Sequence, residues 1–114
     1  MIAHFDGPFS VWSYSVGHGR LLLRRTKSDI YSTRLDVLFK NVGAICMPMT
    51  FDSLSITECS IEGAHDLIQQ SGTRIADRRF FAVSGNGWEG KVIAGAVVWH
   101  EDDKEYHEPS ALWE

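Results

Sequence analysis

The chain is poor in cysteine, with Cys46 and Cys59 alone in 114 residues and no CxxC pair. That excludes the disulfide framework of small secreted domains and the paired thiols of a zinc ribbon. Both cysteines are expected to be reduced thiols, which places the protein in the cytoplasm. Long apolar runs are also missing. None approaches the roughly 18 residues that a membrane helix needs, so no membrane partner is expected. The opening MIAHFDGPF has no basic stretch followed by an apolar one and is not expected to act as a secretory signal. A phosphate cradle is absent too: GNGWEG runs into a strand pattern, whereas a nucleotide loop feeds a helix N-terminus. No internal repeat or low-complexity linker interrupts the chain.

What is present suits one domain spanning 1–114. Apolar residues make up 44% of the chain, which is a globular value. The net charge of −4 hides an asymmetry. Residues 1–45 carry six Lys/Arg against three Asp, whereas 101–114 carry six acids against Lys104 alone. The last stretch is therefore an acidic terminal segment, suited to contact a partner, to lie in solvent or to lean on the protein's own basic strands.

Period-two alternation dominates. Phe9–Val16 reads as a strand with Trp12, Tyr14 and Val16 on one face. Gly17-His18-Gly19 supplies a turn, and Arg20–Arg25 the next strand. Ile30–Val42 reads as a long strand with one core face and one wet face carrying Arg34, Asp36, Leu38 and Lys40. Ala44–Met49 and Leu54–Cys59 are shorter strands, the first stopped by Pro48. The only helix is expected near Ile61–Gln70, capped by Ser60, closed by Gly72, and buried along Ile61, Ala64, His65 and Ile68. A final hairpin follows from Arg78. Its second strand, Lys91–Trp99, is apolar on both faces and is expected at the centre of the fold. The turn around Trp88 is expected to be long or bulged. The fold class is therefore mainly β within α+β: an antiparallel barrel-like or strongly curved sheet of six to eight strands, with one helix inserted before the last hairpin.

The stretches WSYSVGHGRLLLRR and TRLDVLFKNVGAI give the chain a resemblance, over roughly residues 9–60, to a small bacterial single-domain family of unknown function. The resemblance is immunity-protein-like and implies a protein partner of toxin type and no catalytic residues.

Candidate chemistry is sparse. His18, His65 and His100 are the pocket candidates, since histidine titrates near neutral pH. His100, Glu101, Asp102, Asp103, His107 and Glu108 concentrate metal-ligating side chains, but at no recognised spacing. Cys59, just before the helix, would need a lowered pKa to be a nucleophile. Arg20, Arg24, Arg25 and Lys27 beside Trp12 and Tyr14 could pair phosphate contact with stacking, yet the body is too weakly basic for nucleic acid to be the expected partner. No cofactor, metal or catalytic residue is expected. The leading expectation is a non-catalytic protein-binding module, an immunity-like inhibitor of a basic bacterial toxin domain. Its contact residues would be Trp88, Glu101, Asp102, Asp103, Glu105 and Trp113. The alternatives are a small enzyme or ligand-binding barrel with a histidine pocket, and a self-associating protein joined through a strand edge or Trp113, for example as a homodimer.

Overall fold

The structure, a computed structural model, describes residues 1–112. Five strands come first: β1 (Ala3–Ser15), β2 (Arg20–Arg25), β3 (Arg34–Lys40), β4 (Ala44–Cys46) and β5 (Thr50–Cys59). A 3₁₀ turn, Glu62–Ala64, leads into helix α1 (His65–Ser71), and β6 (Arg79–Gly85), β7 (Trp88–Ala94) and β8 (Ala96–Asp102) complete the order. All eight strands form one antiparallel, curved sheet in the order β4-β7-β6-β5-β1-β2-β3-β8.

The inner face carries the core. Leu21 and Leu23 of β2 stand opposite Phe39 and Val37 of β3, and all four are buried. Phe39 meets Phe81 edge-on at 5.5 Å. Burying each such side chain contributes about 2–3 kcal/mol of transfer free energy. β1 is bulged twice. At the first bulge Gly7 takes φ 106°, a conformation open mainly to glycine. A Cβ there would lie 2.6 Å from Arg25 Cδ and 2.9 Å from the Tyr31 ring, so the missing side chain is what seats Arg25.

Several expectations are corrected. The strand expected over Lys91–Trp99 is broken at Gly95 into β7 and β8, which lie near opposite ends of the strand order. Gly95 donates its N–H to Lys40 O and packs against Asn41, where φ is 53°. The chain thus turns a corner at residues 41–43 and 95 together. Val92, Ile93 and Ala94 are buried, as an all-apolar strand should be, but Trp99 is 42% exposed. The ribbon is therefore not central: β7 lies next to the edge and β8 is an edge. The strand expected from Ile30 begins only at Arg34; before it, Tyr31 stacks on Arg25 at 4.1 Å. Gly85 pairs with Trp88, leaving a two-residue turn, Asn86-Gly87, with Gly87 at φ 76°. A second bulge, between Val11 and Ser13, puts Ser13 opposite Leu22 and Tyr14 opposite Leu21, so Trp12 and Tyr14 do not share a face. The helix expected over Ile61–Gln70 begins only at His65; Ser60 Oγ accepts from Gly63 N–H in the 3₁₀ turn before it, Ala64 N-caps the helix with no side-chain hydrogen bond, and Gly72 closes the C-terminus at φ 64°, as expected. Of the expected stripe, Ala64 is buried in the 3₁₀ turn, but Ile61 and His65 are exposed, and the buried residue of the helix itself is Leu67.

The largest correction concerns β3. Its supposed wet face is buried: Arg34, Asp36 and Leu38 are as dry as Leu35 and Val37. What covers them is the acidic segment itself, folded back over the outer face of β2 and β3.

Candidate protein-binding surface

The outer face is built on a buried charge network. Arg24 donates through Nε and Nη2 to the two carboxylate oxygens of Asp36 at 2.7 and 3.1 Å. Such a two-pronged pair fixes both side chains. Arg34 lies 3.7 Å from Asp36 and meets Asp102 twice: Nε stands 3.3 Å away without hydrogen-bond alignment, and Nη2 donates to Oδ2 at 3.5 Å. The two guanidinium groups then reach across to the backbone of the last segment. Arg34 donates to the carbonyls of Glu105, Glu108 and Pro109 at 2.8, 2.6 and 3.2 Å. Arg24 donates to Tyr106 O at 2.8 Å. Two arginines, Asp36 and Asp102 thus hold residues 105–109 as a strap across the sheet.

The carboxylates of β8 and the strap are largely engaged within the molecule. Glu101 accepts from the Thr33 hydroxyl and lies 3.7 Å from Arg25. Glu105 accepts from Lys27 at 2.8 Å. That hydrogen bond holds the Glu105 carboxyl below its ordinary range and raises Lys27 above its own. Asp103 is exposed.

Pinning the strap presents one apolar feature. Tyr106, 59% exposed, meets Trp12, 39% exposed, edge-on at 6.4 Å, and Arg24 lies over the Trp12 ring at 4.9 Å. Tyr106 is the functional candidate that sequence reasoning missed. Its signal was there: it is the single aromatic inside the charged run EDDKEYHE.

The residues expected to form the contact fall in different places. Glu101 and Asp102 belong to β8, and Asp103 and Glu105 follow at the start of the strap. Trp88 is folded back onto Phe51, with ring centres 4.7 Å apart, and its Nε1–H reaches Asp52 O at 3.4 Å. Trp113 lies outside the described residues. The three pocket histidines stand on separate elements. His18 is exposed in the β1–β2 turn, His65 opens the helix beside Asp66, and His100 on β8 lies 3.5 Å from Asp102. A cleft of about 460 Å³ does open beside β8, lined by His4, Phe5, Arg25, Tyr31, Trp99 and Glu101. Its histidine is His4, which bonds to Ser55 and Asp6.

Cys46 and Cys59 are both free thiols, and burial pushes the Cys59 thiol up, away from the thiolate that a nucleophile requires. Among the described residues no group of three or more His, Cys, Asp or Glu is arranged to hold a metal ion. The basic cluster is likewise committed: Arg24 to Asp36 and the strap, Arg25 to Asp6 O and Tyr31, and Lys27 to Glu105. Among the described residues, no helix is long and apolar enough to cross a membrane. No family model, curated protein or solved structure matches the chain.

Proposed function

We propose that the protein is a non-catalytic protein-binding module that contacts its partner through the strap and the aromatic pair Trp12–Tyr106. The observation that carries the reading is that pair: two half-exposed rings in mutual contact, seated on an arginine that is itself locked by Asp36 and the strap backbone. Rigid aromatic anchors on a preorganised frame are the usual source of binding energy in protein interfaces. Asp103, exposed at the rim, would speed the approach of a basic partner, which fits an immunity-like inhibitor of a toxin domain. We also read the curved sheet as barrel-like. The bonds from Gly43 N–H to Ile93 O and from Gly95 N–H to Lys40 O, both 2.8 Å, support this by carrying the β3–β8 ladder round the corner toward β4–β7.

The test is affinity capture with the wild type and the double variant W12A/Y106A, followed by calorimetry on the captured protein. Loss of about tenfold or more in affinity for the double variant is expected of an anchor pair. A partner held equally by both forms, or no partner at all, would overturn the reading.

A further inference from the structure

β8 is a strand with one side used. It pairs with β3 from Arg34↔Asp102 to Lys40↔Ala96, and it ends the strand order. Among the described residues no backbone group pairs with its second side. Natural edge strands are protected by shortness, proline, bulges, charge or a covering element. The first four residues of β8, Ala96-Val97-Val98-Trp99, have no charge and no proline, and its seven residues form an unbroken ladder with β3. Trp99 is 42% exposed with one edge against the Phe5 ring at 5.7 Å, Val97 packs partly on the core, and Ala96 and Val98 are partly exposed.

The charges beyond this apolar stretch are already balanced by the protein. Glu101 lies against Thr33 and Arg25, and Asp102 against Arg34. The edge therefore offers little net charge to select a basic strand from another protein. An apolar, near-neutral strand is complementary to itself.

We propose that the free side of β8 pairs antiparallel with β8 of a second copy, about a two-fold axis through Val98. In that register Val98 faces its own counterpart, Val97 faces the other copy's Trp99, and Ala96 faces the other copy's His100. Glu101 and Asp102 fall beyond the paired stretch, so no carboxylate opposes another. A self-complementary contact of this kind closes at two copies and leaves no free β8 edge to propagate. The strap lies on the outer face, so the partner surface proposed above remains open in the dimer.

Light scattering across a concentration series should give a dimer mass that falls to the monomer on dilution. Amide exchange at 96–102 in the wild type should slow as concentration rises. Val98→Lys places two ammonium groups opposite each other at the axis and should weaken the dimer by about tenfold or more. Val98→Thr, a similar β-branched shape, should keep it. A monomer at every concentration overturns the proposal, with a foreign strand then the occupant left to consider. So does a dimer that survives V98K, one dissolved by W12A/Y106A instead, or one whose β8 amides exchange at a rate independent of concentration. If V98K fails to fold, the wild-type exchange series decides alone.

Discussion

The sheet has two ends, and they are finished in opposite ways. β4 is three residues long, is followed by Pro48, and lies against helix α1. Its pairing with β7 depends on Gly90, where any side chain would collide with the carbonyl of Cys46. β8 is seven residues long, apolar in its first half and uncovered on one side. The first end is secured by steric fit, the second by charge: Asp36 stands opposite His100 in the β3–β8 ladder, and Arg34 grips Asp102 and the strap. An edge that is shortened, stopped and covered is a closed boundary. An edge held straight from behind and left bare in front is available for use.

The difference can be broken from either side. The largest effect is expected from Asp36→Asn. It strips the buried Arg24 guanidinium of the carboxylate it bonds and takes one of two neighbouring carboxylates from Arg34, a change worth about 3–5 kcal/mol. Denaturant unfolding should show the loss, and amides of β8 should exchange faster while those of β4 hardly change. Equal loosening of both ends would contradict the contrast. Gly90→Ala attacks the other end. Overpacking against backbone should cost about 1–3 kcal/mol, with faster exchange confined to Ala44–Cys46 and its β7 partners. A silent substitution would mean that close approach does not secure β4.

The smallest effect concerns pH. The Glu105 carboxyl is held low by Lys27, so its contribution is present above the unfolded value and is lost as pH falls through the folded one. Lys27 is raised, so its contribution is present below its unfolded value and is lost as pH rises through the folded one. Glu105 is exposed and Lys27 only partly covered, so solvent screens the pair and the shift will be small. The melting temperature of the wild type minus that of Glu105→Gln should be slightly positive near neutrality and vanish in strong acid and strong alkali. A difference constant across pH would show that the pair does not titrate as a unit.

Much of this contrast was written in local sequence, and its decisive part was not. Period two in Arg20–Arg25 and Arg34–Lys40, the stop at Pro48, and the helix end at Gly72 depend on near neighbours and could be read directly. Arg34 and Asp36 read as a wet face because the residues that bury them lie about seventy positions further on. Gly95 lies inside the strand expected over Lys91–Trp99. Its corner needs Lys40 O and Asn41, which periodicity cannot see. The aromatic pair escaped for the same reason. Trp12 was visible beside the basic cluster, but Tyr106 joins it only when Arg24 draws the strap across.

The grip of Arg34 on the carbonyls of residues 105, 108 and 109 also sets a schedule for synthesis. A nascent chain can lay β2 against β3 early, but that guanidinium gains its full set of buried acceptors only once the ribosome has delivered Pro109. Contacts so distant in sequence form slowly. A product that stalls before that point would carry arginines meant for the interior on a half-finished sheet, a state that quality-control proteases can tell from the completed protein.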